Sequence, residues 1–226
     1  PLIAPQEFYD LYDKLGLMPT KPRESPEHPW HHAMRNCQIM DNFTSERTRV
    51  ALASYYGLVT FIDDLIGKIL GAVEQNGLGD NTQIFYLSDH GDNIGERDLW
   101  GKSNFYEESV GIPCIIKGPG IPVEKTVKTP VSLIDVCPTI LKTAGITPEA
   151  KPGTSLVDLA NAEDNLDRLV FSEYHAVGSA TGAFMIRKGQ WKLIYYVSMQ
   201  PQLFNLAEDP EELRDLGADP KHEGIR

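Results

Sequence analysis

The stretch "IFYLSDHGDNIGERDLWGKSNFYEESVGIPCIIKGPG", residues 84–120, opens with a short apolar run and stops abruptly at Asp89-His90-Gly91. A second apolar run, "IPCIIK" (112–117), ends in Gly118-Pro119-Gly120. Such near-continuous runs suit strands covered on both faces. In open α/β sheets, ligands bind beyond the carboxyl ends of strands, and Asp89 and His90 stand at such an end. A carboxylate oxygen and a neutral imidazole nitrogen can both ligate a divalent cation. Gly91 permits tight turning just afterwards, and Lys102 can return a positive charge to the same cleft, where it would hold a sulfate or phosphate oxygen. The set suits stabilisation of charge on a transferring anionic group. Taken alone, an Asp-His pair after a strand is more often a capping arrangement than a metal site.

Working outward, Thr44 or Ser45 can cap a long helix running to about Asn76. Tyr55, Val59, Ile62, Leu65 or Ile66, Ile69 and Val73 form one apolar stripe on it. Asp63 and Asp64 are adjacent on that helix, point in different directions, and read as a solvated or packing face. A short helix is expected over Phe8–Leu15. "SLIDVCPTILKTAG" (132–145) reads as another, with Asp135 as cap, Pro138 harmless in the first turn and Gly145 closing it. Helix, strand, loop, strand, helix predicts an α/β layer with a largely parallel sheet.

The character changes after about residue 160. "RLVFSEY" (168–174), "GAFMIRKG" (182–189) and "QWKLIYYV" (190–197) are strand-like, with a hairpin turn over residues 187–190. "AEDPEELRDLGADP" (207–220) reads as a short helix with an acidic start. The expected organisation is therefore residues 1–160 as part of an α/β domain and 161–226 as a small antiparallel sheet with one helix.

Between the first short helix and the long one, residues 19–41 carry four prolines and three histidines in "PTKPRESPEHPWHHAMRNCQIMD", which predicts an irregular loop. "HPWHH" lacks metal-site spacing, so a lid, a rim beside a binding site or a plain surface loop is expected. Trp30 could there stack on a sugar or cover a quaternary amine.

Composition sets outer limits. The 226 residues are 41% apolar, ample for a core, and the net charge of −11 argues against nucleic acid as a partner. A small anionic substrate remains compatible, because a local site can be cationic inside an acidic protein. Cys37, Cys114 and Cys137 form no CxxC pair and are expected as buried or partly buried free thiols. That usage fits a reducing compartment and favours the cytoplasm, with periplasm or secretion left open. No apolar run is long enough to span a bilayer, so no membrane partner is expected.

The ordered series Ser88-Asp89-His90-Gly91, Leu99-Trp100-Gly101-Lys102, Tyr106-Glu107-Glu108 and Gly118-Pro119-Gly120 closely resembles the later half of sulfatases of the alkaline phosphatase superfamily. "GLGDNT" (77–82) and "RKGQWKLIYY…LFNLAEDPEEL" extend the resemblance over nearly the whole chain. It implies an alkaline-phosphatase-like sheet sandwiched by helices, present in part. It implies Asp89 and His90 as ligands of one divalent metal, calcium first with manganese or magnesium as alternatives. Lys102 would contact the sulfate or phosphate group, so that Lys102 and His90 carry the catalytic roles. His90, where other members have asparagine, is closer to the choline-sulfatase and phosphonate monoester hydrolase branches. "EYHAVGSA" (173–180) resembles the C-terminal segment of choline-sulfatase-like members, which would bring His175 to the substrate unless it is structural. Glu107 and Glu108 read as structural supports of the loop.

The family's nucleophile is a formylglycine made within Cys/Ser-x-Pro-x-Arg, and no cysteine or serine here begins that pattern. The early acidic metal ligands are also absent, and Asp63-Asp64 cannot replace them. "PLIAPQEFYDLY" resembles the segment that follows an active-site histidine in the family. The expectation is a C-terminal portion of a longer sulfatase-like hydrolase, acting on a small sulfated ester and inactive alone. Phosphate or phosphonate ester hydrolysis on the same fold is the nearest alternative. A non-catalytic binding domain is the alternative from another class. Truncation would expose apolar surface and favour self-association.

Overall fold

The computed structural model describes residues 2–38, 43–147 and 152–226. The first helix, α1 (Gln6–Asp13), starts at Pro5 and lies along α3. The proline-rich stretch departs from expectation. Residues 29–38 form a second helix, α2 (Pro29–Gln38), whereas the chain before it is irregular. The reason is position: Pro29 begins the helix, where a missing N–H costs nothing. The end of the stretch, residues 39–41, lies outside the described residues.

The long helix α3 (Ser45–Gln75) forms as its periodicity predicts, and the Thr44 hydroxyl accepts from Arg47 N at 3.3 Å as its N-cap. Gly57 lets α1 approach closely, because a Cβ there would stand 3.0 Å from Ala4 Cβ and Phe8 O. Phe8 packs on Phe61 at 5.3 Å, Tyr12 and Thr60 share a hydrogen bond at 2.7 Å, and Arg49 pairs with Asp13 at 2.6 Å. Further along the apolar stripe Val59, Ile62, Leu65 and Ile69 are all exposed. Asp64 pairs with Lys68 along the helix at 2.6 Å.

Strand β1 (Ile84–Leu87) pairs with β2 (Cys114–Lys117), the one-turn helix α4 (Glu107–Val110) lying just before β2. The pairing is antiparallel, Ile84 opposite Lys117 and Leu87 opposite Cys114, against the expectation of a largely parallel sheet. A parallel return needs a crossover laid on the sheet face; residues 88–113 instead fold beyond one end of β1 and deliver the chain back alongside it. Nor are these strands covered on both faces, for Tyr86 and Ile115 are exposed.

The capping box at Ser132 and Asp135 precedes α5 (Val136–Thr143), which packs on α6 (Leu156–Asn161). Asp135 is fully buried, and Arg168 neutralises it with hydrogen bonds of 2.6 and 3.0 Å. Strands β3 (Val170–Tyr174), β4 (Ala183–Lys188), β5 (Trp191–Tyr196) and β6 (Gln202–Asn205) form an antiparallel meander in sequence order. Lys188 faces Trp191 across the β4–β5 hairpin, and Gly189 supplies the left-handed residue of its turn at φ +57°.

Residues 207–219 do not form the expected helix. The Asp209 carboxylate accepts from Leu213 N and Arg214 N at 3.1 and 2.8 Å, and Glu212 adopts a left-handed φ of +52°, so the segment closes as turns. A 3-10 helix follows over Pro220–Ile225.

The main core joins α2 to the four-stranded sheet. Trp30 and Met34 pack with Leu99, Phe105 and Tyr106 against Ala183, Met185, Ile194, Tyr196 and Phe204. Trp30 is completely buried, which removes it from any surface that could stack on a sugar or an amine. The three cysteines are free but exposed, not buried as expected; Cys114 and Cys137 sit on β2 and α5, elements that present uncovered faces. Among the described residues, no helix is long and apolar enough to cross a membrane.

Candidate active site

The site begins where β1 ends. Ser88 Oγ donates to His90 O at 2.7 Å, and His90 N donates to Asp89 Oδ1 at 3.0 Å, so the turn folds tightly on itself. Gly91 is required by close approach rather than by its dihedral angle: a Cβ there would stand 2.0 Å from Glu108 O. Gly91 N meanwhile donates to Ser109 O at 2.8 Å.

Residues 92–101 then form a loop closed partly by its own polar groups. Asp92 Oδ1 accepts from Ile94 N and Gly101 N at 2.8 and 3.1 Å. Buried Asn93 donates to Gly101 O from its backbone at 2.8 Å and from its side chain at 2.5 Å. Glu96 accepts from Thr20 N and Lys21 N at 2.9 and 2.6 Å, and Trp100 stacks on Phe43 with ring centroids 4.0 Å apart. Gly101, at φ +71°, turns the chain so that Lys102 comes back over His90.

The three residues singled out from the sequence meet here. Lys102 Nζ lies 2.5 Å from His90 Nε2, and Asp89 Oδ2 lies 3.2 Å from the same nitrogen. His90 Nδ1 is 2.8 Å from Gly91 O. A carbonyl can only accept, so Nδ1 carries a proton, and in the neutral ring Nε2 then accepts from Lys102. Asp89 is 80% exposed at its side chain and open to a further partner. The trio lines one wall of a cleft of about 780 Å³, whose other walls include Ser132, Phe171 and Met185.

His175 does not join them. It follows β3, packs edge-on to Phe184 at 5.0 Å and approaches Glu173 at 3.5 Å, and it is not among the residues lining the cleft.

The donor set is a partial match to a divalent cation. Asp89 and His90 Nε2 are ligands of the right kind, and the Nδ1–H contact to a carbonyl orients the ring as metal-bound histidines require, but Lys102 Nζ at 2.5 Å takes the Nε2 lone pair that a cation would need. Among the described residues, no group of three or more His, Cys, Asp and Glu could hold a metal, so any further ligands would come from outside that set.

Behind the loop lies a buried lattice of charge. Arg97, 3% exposed at its side chain and at a left-handed φ of +53°, pairs with Glu108 at 2.8 Å and covers the Tyr106 ring at 4.0 Å. It also donates to the backbone carbonyls of Glu211 and Glu212. Lys21 pairs with Glu108 and, at 2.7 Å, with Glu211. Burial works against ionisation of Glu108, yet the hydrogen bond from Lys21 and the charge of Arg97 hold its carboxyl below the usual range. Glu107 pairs with Lys192 at 2.8 Å. The structural reading of both glutamates from the sequence agrees with this geometry. The sequence had offered no signal for Ser109, which touches both arms of the site, or for Glu212, whose carboxylate accepts from Glu107 N at 2.7 Å.

The sulfatase family profile matches residues 26–146, over half the chain. The chain belongs to the sulfatase family. A second profile, the C-terminal region of N-sulphoglucosamine sulphohydrolase, matches residues 95–226. Among curated relatives, the choline-sulfatase of Rhizobium meliloti (strain 1021) is 34% identical over 98% of this chain and 44% of its own length. Arylsulfatase K of Mus musculus is 36% identical over 82% of this chain and 35% of its own length. Among solved structures, the phosphonate monoester hydrolase SpPMH of Silicibacter pomeroyi superposes over the whole chain and 51% of its own, with a TM-score of 0.84 at 28% identity. The chain thus spans about half or less of the length of these relatives, and its mixed α/β architecture matches that of alkaline-phosphatase-like sulfatases.

Proposed function

We propose that this chain contributes the Asp-His-Lys wall of a metal-dependent sulfuric-ester hydrolase. The observation that carries the reading is the convergence of Asp89, His90 and Lys102 at one cleft, with the His90 Nε2 lone pair and the Lys102 ammonium facing the same point. Similarity to a choline-sulfatase along 98% of the chain supports it.

In this reading Asp89 and His90 would hold one divalent cation, calcium first, which when bound polarises the oxygens of the ester's sulfate. Lys102 holds a sulfate oxygen as a point charge and stabilises the negative charge that develops on transfer. Gly91 O keeps a proton on His90 Nδ1, which leaves the opposite nitrogen for the cation once Lys102 turns from it to the sulfate. A nucleophile must stand within bonding reach of the sulfur. No Cys/Ser-x-Pro-x-Arg for formylglycine occurs among the 226 residues, so the chain alone is inactive in this proposal.

A phosphonate or phosphate monoester is the second reading, favoured by the likeness to SpPMH. The test is a panel of sulfate esters and phosphonate monoesters presented to the 226-residue chain and to a longer natural protein containing it. Turnover of sulfate esters by the longer protein only, falling by about 10²-fold or more in Lys102→Ala, is the expected result. Faster turnover of phosphonates would replace the first reading with the second. No turnover of either would leave a non-catalytic sulfatase-like domain.

A further inference from the structure

Ser109 touches both arms of the site. It lies in α4 and is 2% exposed. Its carbonyl accepts from Gly91 N at 2.8 Å, which fixes the turn that presents Asp89 and His90. Its hydroxyl donates to the carbonyl of Lys102, which fixes the arm returning from the loop. The backbones of the Asp-His-Gly turn and of Lys102 are therefore tied to a single residue, and His90 Nε2 and Lys102 Nζ meet 2.5 Å apart above it.

The short helix is itself braced. Glu107 N donates to Glu212 Oε2 at 2.7 Å, and the Glu107 side chain pairs with fully buried Lys192 at 2.8 Å. A four-residue helix has little stability of its own. Here its start is pinned by two buried charges from the C-terminal part of the chain, and Gly91, with no Cβ, lets it approach the turn.

We infer that Ser109 is a positioning residue: its hydroxyl and carbonyl set the separation of Lys102 from the Asp89-His90 pair, and Glu107, Glu212 and Lys192 hold Ser109 in place. The role in turnover rests on the hydrolase reading above; the tether itself does not. A displacement of about 1 Å at such a group can cost on the order of a hundredfold in rate without any loss of substrate contacts.

The experiment has two arms. In the 226-residue chain, carbonyl chemical shifts and amide hydrogen exchange are followed for wild type, Ser109→Ala and Ser109→Thr. Ser109→Ala should move the Lys102 carbonyl resonance and leave exchange at Gly91, β4 and β5 unchanged, because alanine keeps the carbonyl to which Gly91 N donates, and Ser109→Thr should restore the resonance. In the longer protein, Ser109→Ala should lower kcat by about tenfold to a hundredfold with KM little changed, and Ser109→Thr should recover most of it. An unmoved Lys102 resonance in Ser109→Ala overturns the tether. Uniform loss of protection through β4 and β5, with no rescue by threonine, overturns positioning in favour of a general packing role. If the longer protein turns over no ester, the hydrolase reading fails while the first arm still decides the tether. If Ser109→Ala does not fold, Ser109→Cys, a weaker donor of similar size, takes its place under the same criteria.

Discussion

Lys192 Nζ lies 2.7 Å from Glu212 Oε1, with both side chains completely withdrawn from solvent, and 2.8 Å from Glu107 Oε1. Burial pushes the Glu212 carboxyl up, and the Lys192 charge pulls it only part of the way back. Such a cluster is costly to assemble and costlier to break on one side, because the survivor is left as an unpaired buried charge. Lys192→Met should therefore lose about 3–5 kcal/mol in urea denaturation. Lys192→Met combined with Glu212→Leu should recover part of that loss. A single variant as stable as wild type would remove the cluster from any account of how α4 is held.

Glu27 gives the fold a sensitivity to acid. It accepts from Arg23 at 2.6 Å, Arg35 at 2.8 Å and His32 at 3.2 Å. Burial opposes its ionisation, but these three donors outweigh it and hold the carboxyl at about 2, against an ordinary value of 4.5. The folded-state value is depressed, so its contribution is fully present above pH 4.5 and is lost as the pH falls toward 2. Glu27→Gln should be less stable than wild type at neutral pH, with a gap that closes progressively across that window. A gap independent of pH would show that ionisation of Glu27 has no part in it.

Trp30 acts through packing alone. It is enclosed by Tyr174 and Tyr196, with ring centroids at 6.3 and 5.2 Å. Trp30→Ala should cost about 3–5 kcal/mol, the usual range for emptying an aromatic site in a core, and Trp30→Phe appreciably less. In the longer protein the ranking of substrates should be the same in Trp30→Phe as in wild type. A change of ranking would return Trp30 to the binding surface.

The chain by itself should self-associate. Val59, Ile62, Leu65 and Ile69 on α3 and Ile115 on β2 leave apolar surface uncovered, and β1 and β2 each keep one unpaired edge in their two-stranded sheet. Light scattering on a size-exclusion column should report species above the monomer mass. Introducing Ile62→Glu and Ile69→Glu together should shift the population toward monomer. A clean wild-type monomer at the same concentration would refute this.

What the sequence made legible was local. Periodicity and the Thr44 cap delimit α3 to within a residue, and the runs before Asp89 and at 114–117 are strands because short apolar runs bounded by turns leave few alternatives. Asp89, His90 and Lys102 are assigned to one place through the resemblance of the ordered motif series to sulfatases, and the loop between them does return on itself. Pairing direction was not legible, since nothing in β1 or β2 encodes which way the partner runs. Proline content concealed α2, where Pro29 begins the helix rather than breaking it. Asp209 and Pro210 disguised a set of turns as a helical start. Ser109 left no trace because half of its contact is made by a backbone carbonyl, a group every residue possesses.

The grip of Arg97 on the carbonyls of Glu211 and Glu212 also imposes an order in time. A chain synthesised from its amino terminus has completed the Asp-His-Gly turn and the loop after it more than a hundred residues before their brace exists. Until Glu212 has emerged, the Arg97 guanidinium lacks the two carbonyls it grips, and Glu107 N at the start of α4 lacks the carboxylate that accepts from it. Nascent chains halted short of Glu211 should be cut by limited proteolysis between Asp89 and Lys102, and those extended past Asp215 should resist. The candidate site is thus completed only after residues more than a hundred positions further along have been made.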